Sequence, residues 1–213
     1  MEYSDLSPYS YSAAIIPMIN VGWLGLNLGI QDVGYAEIGR HETEFPVPTS
    51  KFLSKLTLGE HVCEFCPRGG PQFTSNGEYH YYCPSGISYS TPAMISHYVE
   101  SHGYRPPPSF LSAITSPAIL RWDGRAEILK STLSDTAADF ELRIDAITDI
   151  AYWNDRRALS ALISATTDDD LLDIAGFQIG ASLHRILSRT PEGTNEFLIE
   201  SLPTDVQLGF MNA

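Results

Sequence analysis

Cys63-Glu64-Phe65-Cys66-Pro67-Arg68-Gly69-Gly70 and, further along, His97-Tyr98-Val99-Glu100-Ser101-His102 are the two stretches that decide how the first half of this chain folds. A Cys-x-x-Cys on a tight turn presents two thiolates from one short loop, and a His pair spaced by roughly three to five residues presents two imidazoles. Together they have the form of a tetrahedral zinc site with Cys63, Cys66, His97 and His102 as ligands. With all four positions filled by protein, the Zn2+ is expected to be structural rather than catalytic. His61 and His80 are alternative ligands. His61, directly upstream of the knuckle, also suits a supporting role outside the coordination shell. On an ideal helix five steps turn through about 500°, which leaves His97 and His102 some 140° apart. The helix must therefore loosen before His102, and Gly103 favours that.

Between the two pairs the sequence reads as short strands. Asn76-Gly77 separates Gln72-Phe73-Thr74 from Glu78-Tyr79-His80-Tyr81, the pattern of a tight hairpin. Pro84-Ser85-Gly86 makes a second turn into a third strand at Ile87-Ser88-Tyr89. Thr91-Pro92 resembles a helix start, with Thr91 as N-cap and Pro92 at the first helical position, and the helix is expected to run to about His102. Met94, Ile95, Tyr98 and Val99 suit a helix packed inside the domain. From Thr91 to His102 there is neither Lys nor Arg, which argues against a DNA-recognition helix. The Tyr79, Tyr81 and Tyr82 strand reads as sheet with a buried side rather than as a binding face.

Pro106-Pro107-Pro108 is a stiff break, and the expected division is a zinc-bound α+β domain with short antiparallel strands over 1–108 and an all-helical domain over 109–213. In the second part apolar residues recur at helical spacing, as in Leu159, Leu162 and Ile163, or Leu183, Ile186 and Leu187. Breaks are marked by Asn154-Asp155, by Thr166 to Asp170, and by Pro191-Glu192-Gly193. Asp168-Asp169-Asp170 reads as the acidic start of a helix before it reads as a cation site.

Composition narrows the function classes. The 213-residue, 23.5 kDa chain carries a formal charge of -13, so phosphate backbones and anionic membranes are poor partners and a basic protein is a good one. No apolar run is long enough to suggest a membrane span, and acid near Met1 does not fit a secretory signal, so a cytoplasmic location is expected. Of the three cysteines Cys83 is left over, and it reads as a small buried hydrophobe. No His-Glu-x-x-His occurs, and His41-Glu42 fits a surface loop. Gly22, Gly25 and Gly29 lack the spacing of a nucleotide loop and read as turns. The Tyr-rich run from Met1 to Tyr11 is expected to pack as an extended arm.

Two resemblances bear on function. Residues 1–113 resemble an uncharacterised bacterial family through Val21-Gly22-Trp23-Leu24, the His61-x-Cys63-x-x-Cys66 run and the stretch from His97 to Pro107, with an insertion around Ile30 to Glu44. This implies a shared fold and metal site rather than an activity. Ala146 to Ile163 has a partial echo in Ser182 to Ile199, about 36–38 residues on. With Asp155-Arg156-Arg157-Ala158-Leu159-x-x-Leu162 the echo resembles HEAT-like repeats over roughly 140–201, although a small bundle fits as well. That half is similar to helical immunity proteins of bacterial polymorphic toxin systems, which bind and block a cognate toxin. The resemblance implies protein binding in place of catalysis: an acidic helical face docking on a basic toxin domain, with Trp153, Asp155, Asp168, Asp169 and Asp170 as contacts. A zinc-dependent hydrolase using His61 or His80, or a zinc-bearing regulatory adaptor, are the alternatives.

Overall fold

The computed structural model describes residues 2–27, 53–56, 59–115, 120–189 and 199–213. The expected loop at His41-Glu42, the insertion at 30–44, Gly29 and the Pro191-Gly193 break lie outside them, as do residues 190–198 of the second half of the 36–38-residue echo. The chain is α+β and divides into two units, one of residues 1–12 and 17–118, the other of 13–16 and 119–213.

In the first unit β1 (Ile19–Asn20), β5 (Ser88–Pro92) and β4 (Glu78–Tyr82) form one sheet in that order, and β2 (His61–Val62) pairs with β3 (Thr74–Ser75) in another. The pairings are antiparallel except β1 with β5, which is parallel. The short strands are thus mostly antiparallel, as expected. The β4–β5 hairpin closes where expected: Gly86, in the left-handed region at φ 91°, donates its amide to the Cys83 carbonyl.

Asn76-Gly77 does not close a hairpin. β3 pairs with β2 while β4 pairs with β5, so this pair of residues carries the chain from one sheet to the other. Gly77 still needs its positive φ of 103°, and a side chain there would run into the Lys55 backbone, which bridges to Glu78. Thr91-Pro92 likewise ends a strand instead of starting a helix. Thr91 pairs with Tyr79 and Pro92 with Glu78, and at a strand end the amide that proline lacks is least missed.

All five residues of β4 are buried, so its tyrosines line both faces of the sheet. Tyr79, Tyr81, Tyr89, Cys83, Met94, Ile95, Tyr98 and Phe110 share one core, with Cys83 in the buried role expected of it. The arm also forms. The amides of Tyr3, Leu6 and Tyr9 donate to the carbonyls of Trp23, Asn20 and Met18 at 2.8–2.9 Å, laying residues 3–9 antiparallel to 18–23. Tyr3, Tyr9 and Tyr11 ring the buried Trp23 with centroids 5.0–6.3 Å away. Helices α1 (Ile95–His102) and α2 (Pro108–Thr115) complete this unit.

The second unit holds α3 (Gly124–Ser134), α4 (Phe140–Ile150), α5 (Arg156–Ala165), α6 (Asp169–Leu187) and α7 (Thr204–Met211). Asp123, Asp139, Asp155 and Asp168 cap α3 to α6, each carboxylate accepting amides of the first turn, which satisfies donors that the helix itself cannot. Helices α6 and α7 approach most closely. A Cβ on Gly180 would meet the Val206 carbonyl and the Phe210 amide, and one on Gly209 the Phe177 carbonyl. None of the helices among the described residues is long and apolar enough to cross a membrane.

Candidate metal centre

Cys63 follows β2, and Cys66 comes from the tight turn after it. The nearby backbone amides of Phe65 and Cys66 favour the Cys63 thiolate, as amide donors to a charged sulfur do. Burial pushes the Cys63 thiol up and those amides pull against it. His97 and His102 come from α1, and their convergence follows from how that helix ends. Gly103, at φ 69°, caps the helix and sends its amide five residues back to the Tyr98 carbonyl. A closing turn that reaches five residues is wider than an α-turn, and widening reduces the angle between residues five apart. The helix stays hydrogen-bonded through His102 and loosens at its last turn.

The result is a compact quartet. Cys63 Sγ lies 3.3 Å from His102 Nε2, Cys66 Sγ 3.4 Å from His97 Nε2 and 3.7 Å from His102 Nε2, and the two Nε2 atoms are 3.1 Å apart. All four ligand atoms fall within 4.8 Å of one another. Zinc–sulfur bonds of about 2.3 Å and zinc–nitrogen bonds of about 2.0 Å at tetrahedral angles require edges of roughly 3.3–3.8 Å. Four of the six separations in the quartet match that to within a few tenths of an ångström. The quartet is a Cys2His2 group able to hold a metal ion.

Its surroundings favour ligation. Burial, and then the neighbouring His102, depress the pKa of His97, so its imidazole is neutral with a lone pair available. Phe73 stacks on His97 at 4.2 Å and 7°, and Phe65 leans on His102 at 5.8 Å, so each imidazole has an aromatic neighbour. Neither alternative histidine is in the quartet. His61 accepts or donates at 3.4 Å to the Tyr11 hydroxyl. His80, buried in β4, faces the Glu78 carboxylate at 3.6 Å. Glu78 also accepts the hydroxyls of Tyr9 and Ser90, each at 2.7 Å. Beside the quartet a cleft of about 450 Å3 is lined by Cys63, Cys66, His61, Glu64, Trp23 and Met94, among others.

The residues expected to meet a partner are placed less uniformly. Trp153 is fully buried, its indole N–H donating to the Arg121 carbonyl at 3.1 Å, which corrects the expectation that it is exposed. At the Asn154-Asp155 break the chain turns with the indole inward. Asp155 caps α5 and grips Arg157 through both oxygens. Asp168 caps α6 and pairs with the buried Arg143. Asp169 and Asp170 are exposed in the first turn of α6. What the sequence reading missed in this half is Gly176-x-x-x-Gly180, whose spacing on one helix face signals a close neighbour.

A family model described as a domain of unknown function (DUF7919) matches residues 1–115, which include all four quartet residues. No curated protein and no solved structure matches the chain.

Proposed function

The chain belongs to that family, DUF7919, and from this premise we propose that it is a cytoplasmic, zinc-bearing immunity protein that neutralises a basic bacterial toxin domain by covering the toxin's active face. The observation that carries the reading is a division of labour. The family match ends at residue 115, with the metal quartet inside it. The helical residues beyond it carry two acids for each base and expose acid at the start of α6. A two-thiolate, two-imidazole set selects zinc over harder cations and leaves no coordination position for substrate. The zinc is structural: it ties the knuckle to the end of α1 in a unit whose strands are short. The acidic helices then supply the recognition surface, by steering and complementarity with a cationic partner.

Pull-down of the tagged chain from its native cells, with mass spectrometry of what co-purifies, tests this. A stoichiometric basic toxin-like protein supports it; a clean chain under toxin-producing conditions overturns it.

The cleft beside Cys63 and Cys66 favours one second reading, a zinc-dependent hydrolase with His61 as the base. That reading requires hydrolysis of a substrate panel that is lost in His61→Ala while zinc content is kept. A regulatory adaptor would show a stoichiometric partner that is not a toxin.

A further inference from the structure

The backbones of α6 and α7 approach closely at Gly180 and Gly209, and the Phe177 backbone lies against Gly209, the residue after Leu208. Phe177 and Leu208 flank this contact, with Ile174 and Met211 one helical turn away. These four are 50%, 44%, 61% and 65% exposed. Large apolar side chains gathered on two adjoining helices make a patch, and patches rimmed by polar groups mark interaction sites where single exposed residues do not.

The rim has one sign. Asp170 and Asp173 of α6 and Asp205 of α7 are exposed, and Asp205 sits against Gly176 at the edge of the helix pair. From Asp169 to Leu183 on α6, and throughout α7, there is no Lys or Arg. A second copy of this chain would bring carboxylates against carboxylates, and a nucleic acid would bring phosphates. The charge on the rim therefore selects the occupant.

We infer that this face of α6 and α7 docks a cationic amphipathic segment of a partner protein, whose apolar side chains cover Ile174, Phe177 and Leu208 while its Lys or Arg residues meet Asp170, Asp173 and Asp205. The inference rests on the protein-binding reading above, and holds whether or not the partner is a toxin. It moves the contact surface away from Trp153, Asp155 and Asp168, which are occupied within the fold.

The test uses the full chain and a fluorescent amphipathic peptide of lysine and leucine, titrated by anisotropy at low and high salt. The wild type is expected to bind, with affinity falling as salt rises. Ile174→Gln with Phe177→Gln is expected to weaken binding about tenfold or more, a loss of about 1.4 kcal/mol. Asp173→Asn with Asp205→Asn should flatten the salt dependence. Ile128→Gln, an equally exposed apolar position on α3, should leave binding unchanged, and unaltered circular dichroism shows that each variant is folded. Binding that the Ile174/Phe177 variant leaves intact, or none at all, overturns the surface. So does a concentration-dependent dimer abolished by the same substitutions, which would assign the face to self-association. A toxin that co-purifies equally with wild type and face variant sinks this surface and leaves the immunity reading standing. Peptide binding lost in the variant, with no toxin recovered, does the reverse.

Discussion

His97 and His102 bring their Nε2 atoms to 3.1 Å although five residues separate them, because the last turn of α1 closes from Gly103 onto Tyr98. The separation of the two imidazoles is thus a property of the helix end, and the glycine after it belongs to the metal centre as much as the ligands do. Glycine, which has no Cβ, adopts such a left-handed cap without the strain an L side chain would meet.

Zinc content separates the quartet from its neighbours. The purified chain is expected to hold about one zinc after dialysis. Cys63→Ser, Cys66→Ser, His97→Gln and His102→Gln should each lose it, whereas His61→Ala keeps it. Elemental analysis reads the difference directly. Stripping the metal removes stabilisation on the order of 10 kcal/mol from this unit, so a strong chelator should abolish its thermal transition.

Close contact between α6 and α7 makes two glycines irreplaceable. Gly180→Ala or Gly209→Ala forces the helices apart and should cost about 3 kcal/mol, at or above the usual range for overpacking. Gly124 opens α3 with nothing within 4 Å of a Cβ, so Gly124→Ala should stabilise by about 0.5–1 kcal/mol. Urea denaturation followed by circular dichroism checks both signs.

Acid should destabilise the first unit through Glu78. Burial alone would raise its pKa, but the His80 ring 3.6 Å away, with the Ser90 and Tyr9 hydroxyls, brings it below its ordinary 4.5. At low pH the unfolded chain then binds the extra proton. The stabilisation is complete above pH 4.5 and disappears as the pH falls through the folded value. Glu78→Gln should lower stability at neutral pH and flatten the profile in that acid range, as read from urea midpoints across a pH series.

Adjacent aspartates should behave differently. Asp168→Ala removes the α6 cap and leaves the buried Arg143 guanidinium without its carboxylate, a loss of about 3 kcal/mol or more. Asp170→Ala, at an exposed position, should stay within about 0.5 kcal/mol. Equal midpoints for the two variants in denaturant would refute this assignment.

Much of this was legible because the signals are local. The Cys63/Cys66 knuckle, the His97/His102 pair, the stop at Gly103 and the aspartates that cap helices each act within a few residues of themselves. Asn76-Gly77 and Thr91-Pro92 misled for a shared reason. A dipeptide specifies a backbone conformation, and Gly77 does take the positive φ it signals. It does not specify which strand comes alongside; β5 and Lys55 decide that for β4. Trp153 illustrates the same limit, since a polar break beside it says nothing of the Arg121 carbonyl, distant in sequence, that receives its N–H.

Between Cys66 and His97 the chain lays down the whole β4–β5 hairpin. A metal held at both ends turns that segment into a closed ring, and the segment cannot unravel to a free coil while the ring is intact. Metal release and loss of the hairpin then become one kinetic event. The lifetime of the metal-bound unit would then follow the rate at which a ligand lets go, and the Phe73 ring stacked on His97 would slow that step.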